Sequence, residues 1–560
     1  MDNPWNLTSA AQLGTVKIHQ LRQLRFTSLQ GKLKTHSVDQ GNINRLKHRF
    51  KKEGCQRSAP PNYINALVSR DQYREILTMN SLSAIGSDIP AIILAPNCFL
   101  DCTRGRHRIA AASSWLPPDD IWWNVTLYDN SKLDDQARRI LYEFRDSSRV
   151  LSDGEIFFNV RYYQKCQNDA AAGEWLAKWS PTKCRDFRQI YRDKGSPYKR
   201  FQKSLDELLD FPGIWQPWLM GTHLLSMQCP EELSNYLDHI YRSLHVLTCG
   251  HHSDLDLETI QLLEGRCPQW SDGDCWYINE IFNNGRAFSH ITDAQARSQL
   301  HQAALAFKGI VPSLKTFLEN TKYIKPVMQV MKKFLPSNFA GTIQEAMRAC
   351  YIASSEDPLP IQITENDFAY NPIEDRSTRF WSAYRQMFLF ATRNFYGLSE
   401  HRPMGVHKHS RKPADYHELW ARFKDLANKV GFASSANDSA RSSEYTAVHS
   451  LLLRLRPPTL FEYDETILSS CTEQVARVLN GIGRKPVAVS RPYHSTDSRT
   501  PWSIERRCGM TDADSYFADQ KYLFLNQIYT LQNDERREHP TDFEVKRDMF
   551  IAFFPEPDDL

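Results

Sequence analysis

"FLDCTRGRHRIAAASSWL", Phe99–Leu116, passes from a short apolar run through a turn crowded with cations into an alanine-rich segment. It reads as strand, glycine-pivoted turn and helix, with Ala110, Ala111 and Ala112 small enough to let the helix lie close on a sheet. Three arginines and a histidine crowd the junction. A helix N-terminus has unpaired backbone N–H groups and partial positive charge, so a glycine there lets a phosphate approach while arginines grip its oxygens bidentately. Arg104, Gly105, Arg106, His107 and Arg108 are therefore the candidate phosphate-binding residues. The plainer alternative is a turn whose cations face solvent or pair with carboxylates inside the fold.

Outward from this stretch, "NINRLKHRFKKEGC" sets Ile43, Leu46 and Phe50 at helical spacing, with Gly54 placed to end the helix. "IPAIILA" and "IWWNVTLYDN" add strands, which makes a small α/β module. Residues 1–35 lack a persistent period and read as a tail; the module is assigned to residues 36–165. Helical spacing then dominates. A Ser152-Asp153-Gly154-Glu155 capping signal precedes "IFFNVRYY", and "EELSNYLDHIYRSLHVL" and "FLENTKYI" follow in a helical middle domain, residues 166–352. The polar, proline-containing stretch 353–378 reads as a connector, and 379–560 as a mainly helical C-terminal domain. The expected fold class is α+β, a small α/β module followed by mainly α-helical domains.

Composition narrows the function. Among 560 residues, 69 Lys and Arg face 66 Asp and Glu, a net +3, so any anion site must be local rather than a property of bulk charge. Twelve cysteines are too dilute for a disulfide scaffold and read as reduced thiols in an intracellular protein, nuclear or cytoplasmic. The N-terminus has no leader pattern, and no run of eighteen apolar residues occurs, so no membrane partner is expected.

The order of "KKEG" helix, "AIILA", "FLDC", "GRHRIAA" and "WWNVTLYD" resembles the ParB/sulfiredoxin fold, with Gly105, Arg108 and Ala111 at its signature positions and Leu151 and Glu155 in the next ParB-like segment. The resemblance implies that the turn holds nucleotide phosphates, CTP in partition proteins and ATP in sulfiredoxin, through Gly105, His107 and Arg108. Arg106 stands where sulfiredoxin has its catalytic cysteine, so sulfinic acid reduction is not implied. The third partition-protein motif is reduced to Glu143, Arg145 and Arg149. Across most of the chain, "GRHRIAAA", "LSDGEIF", "CPEELSNYLDHI", "FWSAYRQMFLFATRNF" and "VKRDMFIAFF" are similar to a large family of filamentous-fungal proteins of unknown function, often found in mobile elements.

Further candidates are weaker. "SPTKCRDFRQIYRD" sits where ParB-like proteins carry a DNA-reading helix, so Arg185, Arg188 and Arg192 are candidate nucleic-acid contacts against a solvated-face alternative. Lys47, His48, Arg49, Lys51 and Lys52, and later Lys408, Arg411 and Lys412, form short basic clusters. Cys249, His251, His252, Cys267 and Cys275 match no zinc spacing, and His401, His407, His409 and His417 are scattered, so no metal site is expected. The stripe Phe380, Trp381, Tyr384, Phe388 and Phe395 has core spacing. "NGIGRKP" around Gly481 is not a P-loop. The sequence thus points to an intracellular protein that binds a nucleotide or nucleic-acid phosphate, with a nucleoside triphosphate and Mg as the candidate cofactor. A nuclease or phosphotransferase, and a noncatalytic scaffold for protein partners, are the alternatives. No catalytic residue is assigned, and whether the protein is an enzyme stays open.

Overall fold

Six strands in the first 130 residues make one mixed sheet: β1 (Gln12–Ile18), β2 (Leu24–Phe26), β3 (Ile64–Val68), β4 (Ala91–Ile92), β5 (Leu100–Cys102) and β6 (Trp123–Asp129), in the order β2-β5-β3-β6-β1-β4. This computed structural model describes residues 6–27, 43–44, 46–47, 50–51, 54–86, 88–143, 151–191, 196–353, 358–371, 376–398, 416–433, 443–480, 482, 507–509, 522–530 and 537–556. β3 and β6 run parallel at the centre and are buried at every position, as expected for strands covered on both faces. β1 runs antiparallel to β6, and β5 antiparallel to β3.

Helices cover both faces. Ile76 of α1 (Arg70–Met79) and Ile109, Ala111 and Ala112 of α2 (Arg106–Trp115) share a core with Ile64, Ala66, Val125 and Leu127. On the other face, Leu67 and Tyr128 meet Ala137 and Leu141 of α3 (Asp135–Glu143). Ile43 and Phe50 join the first core, and the Gly54 N–H donates to the Phe50 carbonyl at 3.1 Å. The expected tail is different. Residues 12–26 supply β1 and β2, because "QLGTVKI" spreads its partly polar side chains over a strand that pairs along most of β6.

The chain divides into units Met1–Leu151 and Ser152–Leu560. The first helix of the second unit, α4 (Asp153–Lys165), lay within the expected first module. Its residues explain its place. Ser152 and Glu155 form a reciprocal capping box, and the Asp153 carboxylate accepts from Lys183 Nζ (2.8 Å), Trp179 Nε1 (3.1 Å) and the Met220 N–H (3.2 Å). Phe157 then stacks on Trp215 with centroids 4.9 Å apart.

α5 (Asp169–Leu176), α6 (Pro181–Ile190), α7 (Lys199–Glu207), α8 (Pro230–Thr248) and α9 (Asp272–Asn283) follow, and then α10 (Leu314–Phe334) and α11 (Arg376–Leu398). α12 (Tyr416–Val430), α13 (Ser443–Leu455), α14 (Glu465–Asn480) and α15 (Asp542–Phe553) complete the labelled helices, with others, among them Ala294–Ala306, between. Phe380, Tyr384, Phe388 and Phe395 of α11 are buried, so the aromatic stripe is core. The expected connector is different too. β7 (Leu359–Gln362) and β8 (Phe368–Asn371) form an antiparallel hairpin, held by buried Arg393, whose Nε donates to Glu365 (2.9 Å) and whose Nη2 donates to Gln362 (2.8 Å). Polar residues that read as a linker are the partners of a buried cation. Residues 152–560 accordingly form one unit rather than a middle and a C-terminal domain.

Candidate functional site

β5 delivers the arginine turn. The Thr27 N–H donates to the Cys102 carbonyl (3.1 Å) and the Thr103 N–H to the Asn65 carbonyl (2.9 Å), so the chain leaves the sheet between β2 and β3. Gly105 then adopts φ +102° as the N-cap of α2, and its carbonyl accepts from the Ile109 N–H at 3.0 Å. A Cβ at this position would lie 2.7 Å from Ile64 Cγ1. Backbone conformation and contact with β3 therefore both demand glycine, whatever binds there.

Among the described residues many helix N-termini are closed by side chains, as at Ser69, Ser152, Ser180, Ser271, Ser313 and Thr541, although those of α7 and α8 are not. α2 has no side-chain cap and no acidic residue in its first turn; it starts instead with Arg106, His107 and Arg108. Cations at the positive end of a helix are unfavourable unless an anion offsets them. Arg104, Gly105, Arg106, His107 and Arg108 are all half-buried. Arg108 Nη1 donates to the Pro61 carbonyl at 3.5 Å. Arg104 lies close enough to Tyr128 for its guanidinium to oppose the upward pKa shift that burial imposes on that phenol. All four cationic side chains have interactions within the protein, so the corner is already partly engaged. The structure thus brings the five predicted residues to one junction.

Sequence reasoning passed over Asn65. Its side chain is buried in β3, one residue from Ile64, and its Nδ2 has no hydrogen-bond partner among the described residues. On the same strand face, Thr15 and Thr126 pair through their hydroxyls at 3.1 Å. A lone Asn in an otherwise apolar strand carries no motif that would have marked it.

The other candidates separate. Arg185 and Arg188 are exposed on α6, whereas Asp186, Phe187 and Ile190 are buried; Arg192 lies outside the described residues. Lys47 and Lys51 are described, but His48, Arg49, Lys52, Lys408, Arg411 and Lys412 are not, nor are Arg145, Arg149, His401, His407, His409, Gly481 and the side chain of His417. Cys267 is buried against Asp274, while His252 bonds His245 at 2.7 Å. Among the described residues no three or more His, Cys, Asp or Glu side chains are grouped to hold a metal. The cysteines are all free, and no helix of the described residues is long and apolar enough to cross a membrane.

The family model described as "Protein of unknown function (DUF3723) central domain" matches residues 153–558, and its N-terminal companion matches residues 13–146. This chain belongs to the DUF3723 family. The boundary between the two structural units, Leu151–Ser152, falls in the short gap between the two matches. No curated protein and no solved structure matches the chain.

A second concentration of ionisable groups in this DUF3723 protein lies at the start of α8. Glu232 is 1% exposed; one carboxylate oxygen accepts from Tyr384 Oη at 2.7 Å and the other has no partner among the described residues. Neighbouring Glu231 accepts from Thr342 Oγ1 at 2.6 Å. Burial first, and then Glu231, push the Glu232 carboxyl up to about 8. The folded state therefore keeps a proton that the unfolded chain, with an ordinary glutamate near 4.5, gives up, so stability falls as pH rises from about 4.5 to about 8. Glu232→Gln is expected to remove this loss, gaining on the order of a few kcal/mol over wild type at pH 8 and little at pH 5. Denaturant titrations of both proteins at the two pH values measure it; parallel pH dependences would contradict the assignment.

Proposed function

We propose that this DUF3723 protein binds the phosphate of a nucleotide or nucleic acid at the N-terminus of α2, on a ParB/sulfiredoxin-like module, through Arg104, Gly105, Arg106, His107 and Arg108. One observation carries the reading: a ten-residue helix without a side-chain cap or first-turn acid has three arginines and a histidine gathered at its positive end. A nucleoside triphosphate with Mg is the favoured ligand, on the resemblance of Gly105, Arg108 and Ala111 to the signature. The exposed Arg185 and Arg188 add a nucleic-acid contact on α6. On the similarity to filamentous-fungal accessory proteins, the setting is the nucleus or cytoplasm.

A second reading has an observation in its favour. Gly105 is required by its φ of +102° and by Ile64 without any ligand, and the four cations have interactions within the protein, which suits a structural turn in a noncatalytic scaffold. A thermal-shift screen of the purified chain with nucleoside triphosphates, short DNA and Mg separates the two, because a ligand that prefers the folded state raises the melting temperature. A rise of several degrees with at least one phosphate ligand is expected. No shift with any ligand at millimolar concentration rejects binding in favour of the structural turn. Release of phosphate or cleaved DNA in the same samples would make the protein a phosphotransferase or nuclease.

A further inference from the structure

Cys249 and Gly250, at φ +48° and +85°, turn the chain where α8 ends, and the His251 N–H donates to the Thr248 carbonyl at 2.7 Å. The turn carries His252 back over the last turn of α8, where its Nε2 meets Nδ1 of His245 at 2.7 Å. Aromatic neighbours hold both rings. His252 lies against Phe211 with centroids 4.7 Å apart, and His245 stacks on Tyr241 at 6.2 Å with 15° between the planes. His245 is exposed and His252 half-buried, so a hydrated ion can reach both nitrogens.

We propose that His245 Nδ1 and His252 Nε2 form a two-histidine chelate for a divalent late transition-metal ion, with water filling its other positions. Without metal, one neutral ring donates its N–H to the other. When the donor ring moves that proton to its other nitrogen, both lone pairs are free for an ion. Distance supports chelation. Two nitrogens ~2.0–2.1 Å from one ion are about 2.9 Å apart at a right angle and about 3.4 Å apart in a tetrahedron, so the rings need only a small outward rotation. The surroundings favour a cation. His245 stands in the last turn of α8, at the negative end of the helix dipole. Burial and then His245 lower the His252 pKa, while the Asp210 carboxylate opposes them and favours positive charge at this ring. Imidazole suits copper, nickel and zinc, whereas magnesium and calcium take oxygen ligands. A bound ion ties the end of α8 to the turn that follows it.

Isothermal titration of the untagged full chain with nickel chloride tests this, at about pH 7.5, where imidazole is neutral. Nickel is the probe because the free cysteines compete more strongly for zinc. Wild type is expected to take up one equivalent more than His245→Ala or His252→Gln, with circular dichroism unchanged in both variants. His251→Gln, which alters the neighbouring ring that faces Asp254, should keep that equivalent. Equal uptake by wild type and the two pair variants overturns the proposal and leaves only a hydrogen bond. Loss of the equivalent in His251→Gln overturns the two-histidine assignment.

Discussion

Gly154→Ala is expected to unfold the second unit or prevent its recovery in soluble form, a loss of roughly 4 kcal/mol or more. The added methyl would sit 1.6 Å from the Trp215 carbonyl oxygen and 3.1 Å from Trp218 Cβ. No side-chain rotation relieves a clash with backbone. α4 would have to lift away, separating Phe157 from both Trp215 and Trp218, which lie 4.9 Å and 5.6 Å from it, centroid to centroid. Gly173 in α5 is the matched control, since nothing lies within 4 Å of a Cβ there. Gly173→Ala should be neutral or stabilise by up to about 1 kcal/mol through helix propensity. Soluble yield and thermal unfolding of the two variants side by side measure the contrast; equal behaviour would mean that α4 does not lie against Trp215.

Asp274→Ala is expected to cost about 3–5 kcal/mol, the usual loss when one member of a buried charge cluster is removed. Asp274 is buried at the start of α9; its Oδ1 accepts from Arg266 Nη1 at 2.9 Å, and its Oδ2 accepts from the Cys267 N–H at 2.9 Å and from Arg507 Nη1. Burial pushes its carboxyl up, but Arg507, the Cys267 N–H and Arg266 outweigh burial and hold it below the ordinary aspartate value. A depressed folded pKa stabilises above the unfolded value near 3.8, and that contribution is lost as pH falls. The alanine variant leaves buried Arg507 without its carboxylate, so the deficit should be full at pH 7 and shrink towards pH 3. Urea titrations across that range give the answer. A deficit that does not change with pH would mean that lost packing, not lost charge, sets the cost.

Much of the first unit was legible because its signals are local. Alternating β-branched and aromatic residues marked β6, the Gly105 punctuation marked α2, and Ile43, Leu46 and Phe50 marked the early helix. β1 was missed because a strand partly exposed along its length shows little alternation, and only its pairing with β6 makes it a strand. The β7–β8 hairpin was missed for a related reason. Gln362 and Glu365 look like linker residues until buried Arg393, some thirty positions later, supplies their charge partner. Long-range pairing of this kind has no signature in a local window. At the candidate site, residue types marked the cationic turn, but they could not show that Ile64 already requires the glycine or that Asn65 is buried in the same strand.

Isothermal titration of the full chain with the best nucleotide or phosphorylated oligonucleotide, repeated on Arg106→Gln/Arg108→Gln with its circular dichroism checked, tests the phosphate corner most directly. Replacing two guanidinium donors by neutral amides should weaken binding at least ~10-fold without changing the fold. Equal affinity in the double variant would contradict the site.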